Sequence, residues 1–506
     1  MNLEIGKGLY RMSDTTVRTR YAPSPTGFMH VGNLRTALYE YLIAKSMGGS
    51  FILRIEDTDQ ERQVEGAVDV IYNTLATVGL KHDEGPDVGG PYGPYIQSER
   101  KEGYRPYAEQ LVREGKAYYC FCTRERLDGL HEAAAKEGGF AGGYDRHCRD
   151  LPAEEVERLL QAGTPYVIRQ KMPLTGSTTF EDAVYGTITV ENSELEDQVL
   201  LKSDGYPTYN FANVIDDHAM HITHVVRGCE YLSSAPKYNL LYEAFGWEIP
   251  TYVHLPLIMG RNEDGSVSKL SKRHGATGFE DLVREGYLPE AVTNYIALLG
   301  WCPKENREMF TLKELEEAFR IDGISKSPAV FDYDKLSWFN AEYLRAKTPE
   351  EFTALALPYY KEVFGARDVP LDVLCAILQP RVTKLNQIPG VLAFLKELPE
   401  YDVSLFVNKK SKTTLENSVE MLGHVIPALE ALPAWTSDAI HETLLSLAER
   451  LGVKNGTVMW PTRIAASGTA VTPGGAIEIL TILGHEEALR RLHLGADKLA
   501  SANRAG

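Results

Sequence analysis

The chain has few cysteines, no long apolar run and no excess of positive charge. Six cysteines among 506 residues are too few for a disulfide framework, so we expect reduced thiols or metal ligands. No stretch approaches the roughly 18 to 20 apolar residues of a membrane span. The N-terminal segment also lacks the apolar core of a signal peptide. We therefore expect no membrane partner and a cytoplasmic location. Cys229, Cys302 and Cys375 are expected to be packing residues.

The formal net charge of −17 argues against a generally basic surface that coats nucleic acid. A local basic face remains compatible with that charge.

Internal repeats and low-complexity tracts are absent from the sequence, so domain boundaries must come from changes in residue pattern. At 43% hydrophobic, 506 residues are too many for one core, and two to four domains are expected.

Successive regions of the chain differ in pattern. Residues 16–111 alternate short apolar runs such as GGSFILRIED with helical stretches such as EGAVDVIYNTLATVGL, which predicts an α/β domain with a doubly wound parallel sheet. Residues 112–203 turn to cysteines, glycines and short alternating strands, which indicates an α+β insertion. The first pattern resumes over 204–260, and 261–336 carry a basic loop. Amphipathic helical runs fill 337–506 and predict a separate helical domain.

A strand, an irregular turn and a helix are predicted in succession before Gly48. The segment VRTRYA is strand-like, PSPTG interrupts regular structure, and NLRTALYEYLIAKS has helical spacing that ends at glycines. His30 would then lie at a helix start, where free N–H groups and the helix dipole favour a phosphate. Gly32 would let the backbone approach that ligand. A tight loop with His30 as a simple helix cap explains the same residues.

A second cationic element, SKLSKRHGA, spans Ser268–Ala276. It holds Lys269, Lys272 and Arg273 in a short stretch flanked by glycines. Taken alone, such a loop is typical of a solvated turn. Together, however, HVGN and KLSKR resemble the HIGH and KMSKS signatures of class I aminoacyl-tRNA synthetases.

The resemblance extends to the glutamyl-tRNA synthetases over nearly the whole chain after Thr16. It is carried by RYAPSPTGFMHVGN, FILRIEDTDQER, DEGPDVGGPYGPYIQSER, LLKSDGYPTYNFANVIDDH and VVRGCEYLSSAPK. It implies a Rossmann-like catalytic domain split by an acceptor-binding insertion, a stem-contact region over 261–336 and an all-helical anticodon-binding domain. The implied activity is ATP-dependent attachment of L-glutamate to tRNA(Glu) through a glutamyl-adenylate, with Mg²⁺. A monomer with these three substrates is expected.

The resemblance also assigns roles at the nucleotide. His30 and Lys272 would act on the phosphates of ATP, with Lys269 assisting, because phosphoryl chemistry of this kind needs positioning and cationic stabilisation. Gly32 and Asn33 would lie beside the nucleotide. Asn33 replaces the second histidine of the HIGH signature.

Glutamate offers two carboxylates and one ammonium, and a selective pocket must pair all three. By resemblance, Arg20 would bind the side-chain carboxylate, Glu56 the ammonium and Arg227 the α-carboxylate, although the two arginine roles are exchangeable. Further hydrogen bonds would come from Ser24, Tyr209 and Asn213. Without the resemblance, Glu56 is explained by pairing with Arg54 and Tyr209 by core packing.

A zinc site is suggested by CFC at 120–122 and HCRD at 147–150, which resemble a site in some glutamyl-tRNA synthetases. The ligands would be Cys120, Cys122 and Cys148, with Asp150 at the position where the family pattern has histidine. Zn²⁺ accepts carboxylate oxygen, and His147 is an alternative ligand. Three reduced, packed cysteines without metal explain the same residues.

The helical region carries LCAILQPRVTKL, in which Gln379 and Pro380 break a helix and Arg381 is expected at the next helix start. In the similar synthetases an arginine here contacts the last anticodon base, a cytosine in tRNA(Glu) and a guanine in tRNA(Gln). We therefore expect an enzyme that discriminates against tRNA(Gln). The alternatives are a non-discriminating synthetase and an inactive RNA-binding paralogue. Intact His30 and Lys272 oppose the paralogue, and the helical tail opposes a glutaminyl enzyme.

Overall fold

The computed structural model describes residues 16–58, 64–136 and 144–505. These residues divide into two compact units. The first unit runs to Asp281 and includes Thr293–Asp332, and the second comprises Leu282–Val292 and the chain from Tyr333 onward. Within the described ranges, none of the helices is long and apolar enough to cross a membrane.

The strands of the described residues all lie in the first unit. They are β1 (Arg18–Tyr21), β2 (Ser50–Leu53), β3 (Ala117–Cys120), β4 (Val167–Gln170), β5 (Ser177–Asp182), β6 (Gly186–Glu191), β7 (Val199–Leu201), β8 (His224–Gly228), β9 (Thr251–Leu255), β10 (Ile258–Arg261), β11 (Val267–Lys269) and β12 (Ala329–Phe331).

The helices fall into two groups along the chain. The earlier ones are α1 (Val31–Ser46), α2 (Ala67–Thr77), α3 (Lys101–Arg113), α4 (Arg124–Lys136), α5 (Ala153–Gln161), α6 (Tyr209–Ala219), α7 (Ala235–Phe245), α8 (Phe279–Arg284), α9 (Pro289–Ala297) and α10 (Leu312–Ala318). The later ones are α11 (Tyr333–Ala346), α12 (Pro349–Phe364), α13 (Leu371–Leu378), α14 (Ile388–Lys396), α15 (Leu415–Glu430), α16 (Ser437–Arg450), α17 (Asn455–Ser467), α18 (Ala476–Leu483) and α19 (His485–Ala505).

Most strand pairs in the region predicted to form a parallel sheet are parallel. Strands β1 and β2 are parallel, and so are β8 and β9, with Arg227 opposite His254. The four-stranded sheet has the order β6-β5-β9-β8, and β5 is parallel to β9 but antiparallel to β6. The predicted α/β class of this region is therefore confirmed.

The hairpin of β5 and β6 lies within the residues assigned by sequence to the insertion, 112–203, yet it belongs to the β8–β9 sheet. Its alternating exposed and buried residues are typical of any half-buried strand, so the sequence pattern could not show which sheet it joins. A separate antiparallel sheet, β3-β4-β7, is formed by the rest of that segment. The sequence boundary at 203 is not a boundary of the sheet.

The predicted start of α1 is confirmed. His30 is the N-cap residue, and its side chain accepts a hydrogen bond from the backbone of Gly32. A side-chain acceptor at this position satisfies one of the N–H groups that a helix start leaves free. Helix α1 is buried on most of its surface, including Leu38 and Leu42, so it is held firmly against β1 and β2.

The second unit is built of helices around one apolar core, as the sequence predicted. Buried leucines contributed by separate helices include Leu374, Leu422, Leu444 and Leu480. Arg491 crosses this core with 1% exposure and donates hydrogen bonds to the carbonyls of Phe394, Leu395 and Ala466. These bonds join α14, α17 and α19 and satisfy backbone groups that helix ends leave open.

Two details differ from the sequence analysis. Helix α13 breaks near Gln379 as predicted, but the next helix, α14, begins at Ile388, so Arg381 lies in a turn rather than at a helix start. The backbone N–H groups of Thr383 and Lys384 donate to the side chain of Gln387 rather than to helical carbonyls, which keeps this segment out of α14. The expectation that Cys302 packs in a core is wrong, because its side chain is exposed beside the buried Trp301.

Candidate active site

The two cationic motifs, almost 240 residues apart in sequence, meet through backbone hydrogen bonds. The N–H of Val31 donates to the carbonyl of Thr277 at 2.9 Å, and the N–H of Phe279 donates to the carbonyl of Met29 at 3.0 Å. His30 and Gly278 therefore face each other in an isolated antiparallel bridge. This pairing places the end of the basic segment against the start of α1, where a phosphate is favoured.

The hydrogen bonding of His30 fixes its tautomer. Its Nδ1 accepts from the N–H of Gly32 at 3.0 Å, so in a neutral ring the proton must lie on Nε2. Burial, reinforced by the charge of Lys269, lowers the pKa of His30, which favours that neutral ring. A Cβ at Gly32 would lie 3.3 Å from Nδ1, a tight contact. His30 can thus donate from Nε2 to a ligand oxygen.

The basic loop is attached to the hairpin of β10 and β11. Met259 lies opposite Lys269, and Lys272–His274 form a single 3-10 turn after the hairpin. Lys272 is exposed, whereas Lys269 lies 3.6 Å from a carboxylate oxygen of Glu230. The loop therefore presents an exposed ammonium from an anchored turn.

His274, which the sequence analysis did not single out, supplies that anchor. Its ring contacts Ser271 through Nδ1 and the side chain of Asn262 through Nε2. The signal was present, because His274 follows KLSKR directly, but a lone histidine gives no indication of its contacts before the fold is known.

Three buried arginines, Arg20, Arg54 and Arg227, lie in the region predicted to bind glutamate. Arg20 donates from Nε to Asp217 at 2.9 Å and from Nη1 to Glu40 at 3.2 Å. Arg54 donates to Asp217 at 2.8 Å and to Oε1 of Glu56 at 2.9 Å. The pairing of Glu56 with Arg54 considered from the sequence is thus observed, and it uses one oxygen of the carboxylate.

The third arginine, Arg227, differs from the other two. It is 6% exposed, and its Nε and Nη1 are buried without a hydrogen-bond acceptor among the described residues. Its guanidinium carbon lies 4.8 Å from the ring centre of Tyr238 and 5.5 Å from that of Tyr231. The neighbours of its guanidinium are thus neutral aromatic rings, and no carboxylate in direct contact cancels its charge among the described residues.

The carboxylates of this cluster differ in their preference for charge. Although burial opposes it, Arg20 and Arg54 hold the pKa of Asp217 below its usual value. Burial raises the pKa of Glu40 well above its usual value and also raises that of Glu56, in both cases against neighbouring arginines. Three cations therefore face one firmly ionised carboxylate and two that ionise less readily, which gives the cluster a positive bias.

The remaining candidates are more scattered. Ser24 and Asn33 are exposed, and Tyr209 is 39% exposed at the first residue of α6. Asn213 is buried one turn later and donates to the carbonyl of Tyr209 at 3.0 Å. The partial exposure of Tyr209 argues against simple core packing.

Sequence reasoning missed the carboxylates that hold the arginines. Glu40 lies 20 residues and Asp217 lies 197 residues after Arg20, and both are buried. Asp217 does stand inside the quoted segment VIDDH, but the spacing of that segment does not show which aspartate faces an arginine.

The three cysteines of the inserted segment converge. The sulfur atoms of Cys120, Cys122 and Cys148 all lie within 4.8 Å of one another, and those of Cys122 and Cys148 are 3.6 Å apart. Tetrahedral zinc thiolates, with Zn–S near 2.3 Å, imply a sulfur separation of roughly 3.8 Å. A hydrogen bond with Cys148 is the largest effect lowering the pKa of Cys120 to about 4. The donor set therefore fits a zinc ion.

The fourth ligand predicted from the sequence lies elsewhere. The carboxylate of Asp150 is 80% exposed and 3.1 Å from Lys171, and His147 is exposed. Instead, the hydroxyl of Tyr144 lies 3.2 Å from the sulfur of Cys120 and 3.7 Å from that of Cys122. A tyrosine four residues before a cysteine is not a recognised zinc-ligand spacing, so the sequence does not indicate Tyr144.

Arg381 lies on the rim of a groove of about 820 Å³ in the second unit. Its side chain is exposed, and Nη1 donates to the carbonyl of Ile377 at 2.9 Å. Gln387 and Phe394 contribute to one side of the groove, and Thr472 and Pro473 to another. The anchored Nη1 leaves the rest of the guanidinium free to face the groove.

The chain is similar to known proteins along nearly its whole length. Residues 16–338 match the model of the catalytic domain of tRNA synthetases class I (E and Q), and 351–496 match an anticodon binding domain. A glutamate–tRNA ligase of Clostridium novyi (strain NT) is 60% identical over 494 residues, which cover 97% of this chain and 100% of that protein. One of Clostridium botulinum (strain Hall) is 58% identical over 484 residues, 96% and 98% of the two chains.

Two crystal structures are similar over almost the same length. A glutamate tRNA ligase from Elizabethkingia meningosepticum in complex with its amino acid has a TM-score of 0.85 and 38% identity. The glutamate-tRNA synthetase from Elizabethkingia anophelis has a TM-score of 0.86 and 37% identity. Each alignment covers 96% of this chain and 100% of the other.

Proposed function

The chain belongs to the class I tRNA synthetases of the glutamate and glutamine group, and on that premise we propose how its residues act and which tRNA it selects. Its activity is ligation of L-glutamate to tRNA(Glu) at the expense of ATP, for translation. The glutamate α-carboxylate attacks the α-phosphorus of ATP and releases pyrophosphate. The glutamyl group then passes from the adenylate to a terminal ribose hydroxyl of tRNA, with release of AMP. Mg²⁺ enters with ATP as part of that substrate.

At the nucleotide, His30 donates from Nε2 to a phosphate oxygen, and Lys272 neutralises the pyrophosphate as it departs. The support is the backbone pairing of residues 29–31 with 277–279, which brings the helix start and the basic segment together. Lys269 holds the loop through Glu230, and Gly32 permits the close approach of His30. The exposed backbone at Asn33 adds to the same surface. These groups stabilise charge without a protein nucleophile.

In the amino-acid pocket, Arg227 receives a glutamate carboxylate, because its buried donors lack a protein acceptor among the described residues. This observation carries the assignment. Arg20 contributes to the second carboxylate, and Oε2 of Glu56 accepts the ammonium, since Arg54 contacts only Oε1. The ammonium would favour the ionised form of Glu56. Ser24, Tyr209 and Asn213 add hydrogen bonds at the rim. A cluster with positive bias suits a ligand with one more negative charge than positive charges.

For the inserted segment we propose a structural zinc held by Cys120, Cys122 and Cys148, with Tyr144 the nearest fourth donor in place of Asp150. Zinc bound here would link the end of β3 to the Tyr144–Cys148 turn. Arg149 supports the same turn by donating to the buried Asp197 at 2.8 Å. The metal has no part in the chemical steps.

For tRNA selection we propose that the enzyme discriminates against tRNA(Gln). The supporting observation is the exposed guanidinium of Arg381 at the groove, anchored through one nitrogen. Guanidinium donors match the O2 and N3 acceptors of an unpaired cytosine, whereas the larger guanine presents its acceptors O6 and N7 on a different edge, so a site shaped for cytosine would not align them with the same donors. We expect the enzyme to act as a cytoplasmic monomer.

The test is aminoacylation of tRNA(Glu) and tRNA(Gln) transcripts with labelled glutamate and, separately, labelled glutamine. Glutamate should be attached to tRNA(Glu) alone. Equal charging of both transcripts with glutamate would contradict discrimination and leave the activity intact. Charging with glutamine would contradict the assigned amino-acid pocket.

A further inference from the structure

A buried histidine and aspartate lie behind the amino-acid pocket and have no part in the roles described above. Nδ1 of His254 is 2.6 Å from Oδ2 of Asp182, and both side chains have 0% exposure. Asp182 is at the end of β5, and His254 is on β9, in the same sheet. Burial of a charged or polar pair without solvent is costly, so its retention calls for a physical reason.

Asp182 is held in one orientation by the backbone. Its Oδ1 accepts from the N–H groups of Val184 and Tyr185 at 2.9 and 2.8 Å, and its Oδ2 accepts from the N–H of His254 at 3.1 Å. Both oxygens thus act as acceptors of backbone N–H groups, so the contact of Oδ2 with Nδ1 is one in which the imidazole donates. His254 must therefore carry its proton on Nδ1, which leaves Nε2 with a lone pair.

That lone pair is on the same side of the sheet as the unsatisfied arginine. His254 and Arg227 are register partners in the parallel pair of β9 and β8, so their side chains point to one face. Nε2 of His254 is buried without a partner among the described residues, and so are Nε and Nη1 of Arg227. An acceptor and two donors of complementary character are thus adjacent.

The charge state of His254 matters for Arg227. Arg20 and Arg54 each donate directly to carboxylates, whereas no such ion pair of Arg227 is seen among the described residues. Burial lowers the pKa of His254, although Asp182 opposes this, and the charge of Arg227 lowers it further. A neutral imidazole can therefore accept a hydrogen bond from Arg227 without reducing its positive charge.

We propose that His254, oriented by Asp182, is a positioning residue for Arg227. On binding of glutamate, Nε2 of His254 accepts a hydrogen bond from the guanidinium, so that the remaining N–H groups face the ligand carboxylate with their full charge. The inference rests on the proposed role of Arg227 as a carboxylate receptor. It explains why an imidazole rather than a further carboxylate lies beside this arginine.

Two isosteric variants separate the two hydrogen bonds of His254. His254→Asn keeps a donor near the position of Nδ1 but has no acceptor at the position of Nε2, whereas His254→Gln supplies an oxygen there. We expect His254→Asn to raise KM for glutamate by about tenfold, with KM for ATP and kcat changed less than about twofold. His254→Gln should recover most of the loss. A general structural defect would instead alter all three parameters in both variants.

Arg227→Leu distinguishes this inference from the function on which it rests. If Arg227→Leu leaves KM for glutamate unchanged, the role of Arg227 fails. If it raises KM but His254→Asn does not, or if His254→Gln is no better than His254→Asn, only the positioning role fails. In the Arg227→Leu background, His254→Asn should change KM by less than about twofold, because its effect acts through Arg227.

Asp182→Asn provides an independent test should His254→Asn fail to fold. The amide would present a donor to Nδ1, which favours the other tautomer and places an N–H against the cationic Arg227. We expect KM for glutamate to rise at least as much as in His254→Asn. An unchanged KM in folded Asp182→Asn would overturn the inference.

Discussion

His274 lies so close to Gly260 that a Cβ added at residue 260 would be 2.5 Å from Cγ of the imidazole. The ring is fixed on its other edges, because Ser271 donates to Nδ1 at 3.0 Å and Nε2 lies 2.9 Å from Oδ1 of Asn262. The turn that carries Lys272 is therefore tied to the β10–β11 hairpin through one histidine. The position of the ammonium depends on this contact.

Gly260→Ala is expected to displace His274 and loosen the loop. Overpacking of this kind costs about 1 to 3 kcal/mol. Because the loop acts on the phosphates, the rate of ATP–pyrophosphate exchange should fall by about tenfold while KM for glutamate stays within about twofold. Gly103→Ala is the control, since it has open space around its Cβ and should leave the rate unchanged. Equal rates for the two variants would contradict the anchoring role of His274.

Lys272→Ala should lower kcat for adenylate formation far more than it raises KM for glutamate. The ammonium acts when negative charge develops on the departing pyrophosphate, and loss of such a contact costs about 3 kcal/mol, or about a hundredfold. Lys304→Ala removes an exposed lysine of the same unit outside the loop and should have no effect. Burst kinetics of pyrophosphate release would measure the step. An unchanged kcat would remove Lys272 from the mechanism.

The local framework of the nucleotide site was predictable because its signals are short-range. Two prolines and a glycine between an apolar run and a helical repeat predict β1, the irregular turn and the start of α1 at His30. The contacts in and behind the amino-acid pocket, by contrast, were not predictable from the spacing of residues in the sequence. Asp182 lies 72 residues before His254, and Asp217 lies 197 residues after Arg20. Such pairs depend on strand order and register, which the sequence pattern does not specify.

Arg20→Ala should affect both stability and substrate binding. Glu40 would lose its ion-pair partner in a buried cluster and Asp217 would keep only Arg54, and breaking a buried ion pair costs about 3 to 5 kcal/mol. KM for glutamate should also rise by about thirtyfold or more, whereas KM for ATP should change little. Urea unfolding and steady-state kinetics would measure the two effects. Arg158→Ala, which removes an exposed pair, should leave the free energy of unfolding nearly unchanged. If only KM for ATP rises in Arg20→Ala, Arg20 is misassigned.

Zinc should copurify at about one atom per chain in protein prepared without chelator. Cys148→Ser should lose the metal, whereas Cys375→Ser, a buried cysteine outside the cluster, should retain it. Retention by Asp150→Ala together with loss by Tyr144→Phe would identify the fourth ligand as the tyrosine. The reverse result would restore Asp150. Elemental analysis that finds no zinc in the unmodified protein would favour three packed thiols without metal.

Arg381→Gln should weaken the distinction between tRNA(Glu) and tRNA(Gln). The guanidinium is exposed at the groove and is anchored to the carbonyl of Ile377 through Nη1. Glutamine is shorter and uncharged, and its amide offers both a donor and an acceptor, so it can pair with guanine as well as cytosine.

The measurement is kcat/KM for glutamate charging of both transcripts by the unmodified enzyme and by Arg381→Gln. We expect the unmodified enzyme to favour tRNA(Glu) and the variant to reduce that preference by about 1 to 3 kcal/mol, mainly through weaker use of tRNA(Glu). Arg450→Gln removes an exposed arginine of the same unit outside the groove and should leave the preference unchanged. A preference that persists in Arg381→Gln would show that other residues select the tRNA. Equal loss in Arg450→Gln would instead indicate a general effect of positive charge on tRNA binding, because that term does not depend on sequence.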